Sequence, residues 1–478
     1  MHPSPDQKSD LRGREAAIAS AMRYIEEGGF KSDLAQLVAC RTETSKQGDA
    51  VQKLTYLTDL LAPHLARLGF SVQVFDNPDA GSGPLAIYQR IEDTNLPTVL
   101  MYGHADVVPG LDGQWDAGRS PWKLEQSDNR LYGRGTADNK GQHWLNIAAL
   151  REVIAARGHL GFNCKILLET EEESGSPGLE LFCETHRNDL AADVLIASDG
   201  PRIRTGRPTV ALGSRGNFNF DLEIRYRDSG RHSGNWGGSI KDPVIRLAHA
   251  IATIADDHGR ILIDEWRPEK PSDRIRDLLK DCPILQSNGV SRMDADWGET
   301  ALAPAERVLA WNNFAVLAIK AGSPERPVNA IAPMAWARCQ LRFLAGLDPE
   351  SILPTLRAHL DANGFEDVAL KPARSTWWRG TTTNPDDPWV QQVMCSLEKT
   401  EGHTPDLIPC IGGSLPNHAF QGIVGMPAVW IPHSYSDCSQ HAPNEHVRID
   451  LCLSAIRVMT GLFWDIGQNG EEGERDAY

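Results

Sequence analysis

Acidic and histidine residues follow three apolar runs of the sequence, at the point where each run ends. They are His104 and Asp106 in VLMYGHAD, Glu171, Glu172 and Glu173 in ILLETEEES, and Asp199 in VLIASDG. Carboxylates this close together repel one another, and each loses favourable hydration when it is buried. The pattern therefore indicates either solvated turns or a place where cations bind.

Two further residues of the same chemical types lie outside these runs. Asp138 stands in the glycine-rich stretch RLYGRGTADNKG, and His441 stands in SQHAPNEH, after the apolar run PAVWIP. Histidine nitrogens and carboxylate oxygens are ligands suited to zinc and similar ions. Two divalent ions would relieve the repulsion and activate a water for hydrolysis. One glutamate beside them must then stay off the metals to move protons, so EEE is interpreted as a ligand, a base and a residue of lesser role.

Each motif alone has a more ordinary interpretation. GHAD is compatible with a structural turn histidine, EEE with a solvated turn and SDG with a type I turn, and the GRG of RLYGRGTADNKG lacks the GxGxxG phosphate-binding pattern. Their joint occurrence at the ends of separate predicted strands is what favours a metal site. In open α/β sheets, ligands bind in the crevice outside the carboxyl ends of the strands.

The elements that position these residues have the pattern of an α/β fold. Near-continuous apolar runs alternate with helical stretches through residue 200, and Gly158 is a plausible C-cap of the helix predicted in NKGQHWLNIAALREVIAARG. This alternation predicts a mostly parallel sheet sandwiched between helices. From about residue 212 the pattern changes: FNFDLEIRYRD and MAWARCQLRFLAGL alternate apolar with polar residues, as half-buried antiparallel strands do, and a helical stretch follows each.

Length and composition bound the possibilities further. A chain of 478 residues is too long for one core, so we expect a catalytic domain formed by residues 1–211 and 381–478, with an α+β domain inserted at 212–380. The net charge of −16 provides no electrostatic footprint for nucleic acid. No apolar run long enough to span a membrane occurs, and no signal peptide is apparent. The nine cysteines, Cys438 near HAPNEH among them, form no CxxC pair and indicate reduced thiols in a cytoplasmic protein.

Taken in order, GHADVVP, LYGRGTADNKG, ETEEESGSPG, SDG and HAPNEH resemble the motifs of a co-catalytic zinc exopeptidase and deacylase family. That family includes cytosolic non-specific dipeptidase, carnosinase, glutamate carboxypeptidase, acetylornithine deacetylase and succinyl-diaminopimelate desuccinylase. The resemblance covers nearly the whole chain, and LGSRG and GRHSGNWGG are similar to the dipeptidase branch. It implies a zinc exopeptidase-like catalytic domain and an inserted ferredoxin-like lid domain that usually also forms the dimer interface.

The resemblance also implies a ligand set. His104 and Asp199 would bind one zinc ion, Glu173 and His441 would bind the other, and Asp138 would bridge both.

Two residues beside these ligands complete the expected catalytic centre. The resemblance implies that Glu172 is the general base and that Asp106 orients His104, since a carboxylate on the far ring nitrogen fixes the tautomer. Glu171 matches no role in the family and is expected to be solvated.

Lid residues and a turn are expected to bind the substrate. By resemblance, His232 would stabilise the oxyanion in the partner's active site, and Asn329 would lie near it. Arg342 would bind a substrate carboxylate, which a guanidinium can do through two hydrogen bonds; a salt bridge on the sheet face is the alternative for this residue. Gly413 and Ser414, in IGGSLPN, would donate to the same carboxylate.

The sequence thus predicts a homodimeric hydrolase with two divalent ions, zinc first and manganese or cobalt as alternatives. Its substrate would be a small peptide with an amide beside a free carboxylate, cleaved by a dipeptidase or carboxypeptidase. An N-acyl amino acid deacylase with the same mechanism is the alternative. A catalytically dead binding protein is disfavoured, because the base and every ligand type are present. His418, where the sequence departs from the family pattern, leaves the exact substrate open.

Overall fold

The apolar runs that end in acidic residues are neighbouring strands of one eight-stranded sheet. The computed structural model of the chain describes residues 5–44, 50–283, 294–323, 325–373 and 377–475. Across the sheet the strands are, in order, Ser71–Phe75, Leu85–Arg90, Asn163–Glu169, Thr98–His104, Val194–Ala197, Ala428–Trp430, Thr209–Ala211 and Asp406–Ile408. The third to sixth of these strands are mutually parallel, so their carboxyl ends meet at one edge of the sheet.

Both faces of this sheet are buried, which explains why its strands are almost continuously apolar. In the strand Thr98–His104, Val99 and Met101 belong to one hydrophobic core, whereas Leu100 and Tyr102 belong to a second. Successive side chains point to opposite faces of a sheet, so a strand covered on both sides has no face turned to solvent.

Helices pack against the two faces of the sheet and complete both cores. The described α-helices are Pro5–Glu26, Gly29–Ala39, Ala50–Thr55, Ala62–Arg67, Lys140–Arg157, Leu179–Thr185, Arg187–Leu190, Ser233–Trp236, Pro243–Ile254, Asp273–Leu279, Pro304–Leu309, Ile352–Ala362, Pro388–Glu401 and Ile449–Arg475. Short 3₁₀ turns occupy Glu172–Ser174, Asp264–Trp266 and Pro349–Ser351, and π-helical turns occupy Tyr56–Leu61 and Ala419–Val424. Gly158 ends the helix Lys140–Arg157 with φ of 92°, which confirms its predicted C-cap role.

A separate antiparallel sheet of four strands is built from the segment where the sequence pattern changes. Its strands, in spatial order, are Asn313–Ala321, Met334–Phe343, Gly216–Arg225 and Ala369–Pro372. Alternate residues of Gly216–Arg225 are buried, and they pack with the helices Pro243–Ile254 and Ile352–Ala362 in a third core. The predicted antiparallel strands and their following helices are therefore confirmed.

Smaller sheets complete the described structure. They are the three strands Glu125–Ser127, Arg130–Tyr132 and His446–Arg448, the pair Arg231–His232 with Ala330–Ile331, and the pair Gly213–Ser214 with Thr381–Thr382. The predicted fold class, a helix-covered mostly parallel sheet with an inserted α+β unit, is confirmed. The domain boundaries at 211/212 and 380/381 stay predictions. None of the described helices is both long and apolar enough to cross a membrane.

Candidate active site

His104 is the last residue of its strand, and its ring is completely buried. Its Nδ1 atom lies 3.0 Å from the backbone carbonyl oxygen of Asp106 and 3.5 Å from the Asp106 carboxylate. A proton on Nδ1 donated to that carbonyl leaves Nε2 free to bind a cation. The Asp106 carboxylate accepts the backbone N–H groups of Glu172 and Glu173, at 3.1 Å and 3.0 Å. Asp106 therefore holds both the histidine ring and the glutamate turn, the ring chiefly through its backbone.

Asp138 lies between the two halves of the acidic cluster. Its Oδ1 is 3.0 Å from His104 Nε2, and its Oδ2 is 3.0 Å from His441 Nε2. Asp199 Oδ2 lies 3.6 Å from His104 Nε2, and Glu173 Oε2 lies 3.1 Å from His441 Nε2. The structure thus brings together two groups of potential metal ligands, each with its ligand atoms within 4.8 Å of one another, and Asp138 belongs to both.

The electrostatics of this cluster fit divalent cations. Burial raises the pKa of Glu173 to about 7, and the charge of Asp138 adds to the shift. Burial also raises the pKa of Asp199, again with repulsion from Asp138. Glu173 Oε1 is buried and, within the described part of the chain, lacks a hydrogen-bond partner. Cations between these groups would offset the repulsion and occupy that oxygen, so the residues present are suited to a divalent metal centre.

Glu172 lies beside the ligand groups but belongs to neither. It begins the 3₁₀ turn Glu172–Ser174 and lines a cavity of about 200 Å³ together with Asp138 and Asp199. Burial raises the pKa of its carboxyl well above the ordinary value; attraction to His104 opposes the shift and repulsion from Asp199 adds to it. A carboxyl near the ligands, open to the same cavity and not among them, has the position that a proton-transfer group requires.

The backbone that carries Asp138 is held by a residue that sequence reasoning missed, the buried Glu445. Its carboxylate accepts a hydrogen bond of 2.8 Å from Arg134 Nη1 and further bonds from the backbone N–H groups of Gly135, Ala137 and Asp138, at 2.9–3.1 Å. The signal was present, because Glu445 is the only acid in the HAPNEH motif. Of the residues in that motif, only His441 matches a ligand role in the family, and Glu445 matches none.

The loop that carries His441 has an unusual backbone. Ser439, His441 and Asn444 all have positive φ angles between 57° and 63°, a region that non-glycine residues seldom occupy. Gln440, which precedes His441 in the chain, donates a hydrogen bond from Nε2 to Asp138 Oδ2. These contacts place the His441 ring against Asp138, although half of that ring is exposed.

The prediction that Glu171 is solvated is wrong. Only 8% of the residue is exposed, and its Oε1 forms a salt bridge with the buried Lys53 and accepts the backbone N–H of Gly83 at 2.7 Å. Its Oε2 accepts the Ser174 hydroxyl at 3.1 Å. The first glutamate of the triplet therefore fastens the catalytic turn to the helix Ala50–Thr55.

This buried pair leads to a stability prediction. Lys53→Met is expected to lower the free energy of unfolding by about 3–5 kcal/mol, because it leaves the Glu171 carboxylate buried without its counter-charge. The double variant Lys53→Met/Glu171→Met removes both charges and should recover part of that loss. Lys241→Met is the control, since Lys241 forms a largely exposed salt bridge with Asp367 at 3.8 Å and should cost at most about 1 kcal/mol. Thermal and urea unfolding would measure all three; equal stability of Lys53→Met and Lys241→Met would contradict a stabilising role for the pair.

The predicted substrate-binding residues are only partly brought together. Arg342 lies on the strand Met334–Phe343, with Nη1 3.4 Å from Ser414 Oγ and 3.5 Å from the carbonyl oxygen of Gly412. Within the described part of the chain it forms no salt bridge, and burial alone lowers the pKa of its guanidinium. Gly413 and Ser414 line the same cavity as the acidic cluster.

His232 and Asn329 lie together elsewhere. His232 pairs with Ala330 in a short two-stranded sheet, and the backbone N–H of Ser233 donates to the Asn329 carbonyl at 2.9 Å. Both residues are exposed, and neither lines the cavity at the acidic cluster. His418 contacts Glu180 at 3.0 Å on a different cavity.

Comparison with known proteins decides the family. Residues 100–465 match the sequence profile of Peptidase family M20/M25/M40. The chain belongs to this peptidase family. The recognition made from the motifs is therefore confirmed, and the protein is a metal-dependent peptidase.

Individual relatives are similar over most of their length. The chain is 26% identical to a Beta-Ala-His dipeptidase of Mus musculus over 94% of this chain and 96% of the relative. It is 27% identical to a Cysteinylglycine-S-conjugate dipeptidase of Corynebacterium striatum over 74% and 76% of the two chains. The fold is similar to that of an M20 family metallo-carboxypeptidase from Sulfolobus solfataricus, with a TM-score of 0.75, 24% identity, and coverage of 92% and 99%.

Proposed function

We propose that this peptidase is a dipeptidase with two divalent metal ions, and that these are zinc ions because histidine and carboxylate ligands suit zinc. One observation carries the proposal: a single cavity is lined by Asp138 and Glu172 and also by Gly413 and Ser414, beside Arg342, which forms no salt bridge among the described residues. A short peptide whose scissile amide lies at the acidic cluster would place its free carboxylate at Gly413 and Ser414. The two curated relatives described above are named as dipeptidases, so we favour this function over the deacylase alternative.

The proposed mechanism assigns one task to each part of the site. His104 and Asp199 would hold one ion, Glu173 and His441 the other, and Asp138 both. When bound, the ions would supply an acidified water and a Lewis acid for the scissile carbonyl.

Other side chains of this protein would transfer the proton, position the glutamate turn and bind the substrate. Glu172 would accept a proton at its carboxylate and pass it to the leaving amine. Asp106 keeps Glu172 and its neighbour in position through their backbone N–H groups. The Arg342 guanidinium and the Ser414 hydroxyl would bind the carboxylate of the substrate, which fixes the register of the amide.

Metal removal and reconstitution would test this function directly. Chelation is expected to abolish hydrolysis of a dipeptide panel, and zinc, manganese or cobalt should restore part of it. Matched N-acetyl amino acids should be poorer substrates than the corresponding dipeptides. Asp138→Ala should lose both ions in elemental analysis, because its two oxygens face the two ligand groups. Two ions retained in Asp138→Ala would contradict the bridging role, and hydrolysis of N-acyl substrates alone would favour the deacylase.

The carboxylate-binding role of Arg342 is tested by Arg342→Ala. We expect kcat/KM to fall far more for dipeptides with a free carboxyl terminus than for their carboxyl-terminal amides, since only the free carboxylate exchanges charge-assisted hydrogen bonds with the guanidinium. Arg338→Ala is the control, because Arg338 lies on the same strand but pairs with Asp221 at 2.9 Å. An equal loss for acids and amides would assign Arg342 a structural role.

We also propose a homodimer formed through the inserted domain, with boundaries at 212 and 380. The edge strand Asn313–Ala321 supports it, because Val316, Leu317 and Ile319 are 40%, 51% and 59% exposed. An apolar strand at a sheet edge is a surface that proteins normally cover. A cytoplasmic location is proposed on the nine free thiols.

A further inference from the structure

The cavity beside the acidic cluster has an apolar wall that the proposed chemistry does not use. Apart from the catalytic groups, its side chains are almost all hydrocarbon: Pro201, Ile203, Ile408, Ile411 and Leu415. Among the described lining residues, charged side chains occur only at the edge where the proposed metal ligands and base lie. Apart from Ser414 and Gln440, the rest of the lining therefore offers no polar side chain to a substrate.

This wall is held rigidly. Ile408 and Leu415 are buried at 1% and 4% exposure in the second hydrophobic core, against which Ile203 and Ile411 also pack. The backbone N–H of Ile203 donates to Thr209 Oγ1, and that of Ile411 donates to the carbonyl of Gly213, both at 2.9 Å. Because backbone hydrogen bonds and core packing fix these residues, the shape of the wall is preformed.

The position of the wall decides which part of a substrate it meets. Pro201 and Ile203 follow the proposed ligand Asp199 by two and four residues, and Ile411 directly precedes Gly412–Ser414 beside Arg342. The wall therefore adjoins both the acidic cluster, where the amide would be cleaved, and the residues where the carboxylate would bind. In a bound peptide, the residue that carries the free carboxylate would connect these two places, so its side chain would face the isoleucines.

We infer that the wall formed by Ile203, Ile408, Ile411 and Leu415 selects peptides whose carboxyl-terminal residue has an aliphatic side chain of about the size of valine, leucine or methionine. The inference rests on the proposed dipeptidase function and adds its substrate class. A polar side chain would give up its hydration there without finding hydrogen-bond partners. A glycine would leave the apolar surface uncovered.

Substrate pairs of matched size provide the sharpest test. The metal-reconstituted enzyme would be assayed with Ala-Leu against Ala-Asn and with Ala-Val against Ala-Thr, and Ala-Gly, Ala-His and Ala-Asp would complete the panel. We expect kcat/KM for the aliphatic member of each pair to be about 10- to 100-fold higher, the range that apolar pockets achieve for small differences between side chains. Titration of the Glu172→Gln variant with Ala-Leu and Ala-Asn should show the same order in Kd without turnover.

Two variants of partly exposed wall residues would test whether the wall causes the preference for aliphatic side chains. Ile203→Asn and Ile411→Asn should each reduce the Ala-Leu to Ala-Asn ratio by about 10-fold, because they place an amide opposite the substrate side chain. Ile275→Asn is the matched control: Ile275 packs against the same core but does not line the cavity, so its ratio should stay that of the wild type.

The outcomes separate this inference from the function on which it rests. Hydrolysis of Ala-Leu and Ala-Asn at equal efficiency, or faster cleavage of Ala-Gly or Ala-His than of Ala-Leu, overturns the aliphatic pocket and leaves the dipeptidase standing. Hydrolysis of none of the dipeptides by metal-loaded protein overturns the dipeptidase and the pocket together. The comparison of Ala-Leu with Ala-Asn on the wild-type enzyme tests the aliphatic pocket even if a variant fails to fold.

Discussion

Glu172→Gln is expected to keep the metal content of the wild type while its kcat falls by about 10⁴-fold, the upper end of the range for general acid–base groups. The upper end applies because the same carboxyl would both accept the proton and deliver it to the leaving amine. Glutamine has nearly the same shape but cannot accept that proton. Glu172 lines the cavity without belonging to either ligand group, so its replacement should leave the metals in place.

The neighbouring glutamate provides the opposite result. Glu173→Gln should lose metal, because Glu173 Oε2 lies 3.1 Å from His441 Nε2 and its other oxygen is buried without a described hydrogen-bond partner. Elemental analysis after gel filtration, beside turnover with one dipeptide, distinguishes the two variants. Glu184→Gln, on the exposed surface of the helix Leu179–Thr185, is the control and should retain both metal and activity. Metal loss in Glu172→Gln with retention in Glu173→Gln would show that the two roles are exchanged.

The parts of the site that sequence predicted share a local cause. His104 ends one apolar strand and Asp199 lies two residues after another, and parallel strands bring such positions to one edge of a sheet. The alternation of apolar runs with helical stretches predicts the parallel sheet, so the convergence of these ligands follows from a pattern visible in the sequence. The alternation in Gly216–Arg225 was predictable for the same reason, since a period of two residues is a property of the strand itself.

The parts that sequence did not predict depend on distant partners. Glu171 looks like one more charge in an acidic turn until the fold brings Lys53, 118 residues earlier, against its carboxylate. Glu445 binds mainly backbone N–H groups about 310 residues earlier, and backbone donors carry no mark in the sequence. The Asp106 carboxylate lies 3.5 Å from the ring of His104, which it was predicted to orient, and it also accepts two backbone N–H groups of the glutamate turn, a contact that the sequence did not predict. In each case the residue type was visible, but its partner was set by tertiary structure.

His232→Ala is expected to lower kcat by about 10²–10³-fold with metal content intact, the usual cost of removing one oxyanion donor. His232 is exposed, lies beside Asn329 in the inserted domain and does not line the cavity at the acidic cluster of its own chain. It can reach an active site only if the inserted domain moves or if a partner chain in a dimer supplies it. His258→Ala is the control, because His258 is a partly exposed histidine of the same predicted domain that is remote from this pair in sequence.

Subunit mixing decides between these two routes. His232→Ala and Glu172→Gln are each expected to lose most activity, for different reasons. If the histidine acts across the dimer, a heterodimer of the two would hold one complete site, with Glu172 from one chain and His232 from the other. Random exchange makes about half of the dimers mixed, and each mixed dimer has one competent site of two, so activity should return to about a quarter of the wild-type value per site. Exchange would be verified with subunits carrying different tags. If tagged heterodimers form and no activity returns, His232 acts within its own chain or outside catalysis. Each mixed dimer contains one intact Glu172 and one intact His232, but on different chains, so a site that needs both from the same chain stays incomplete.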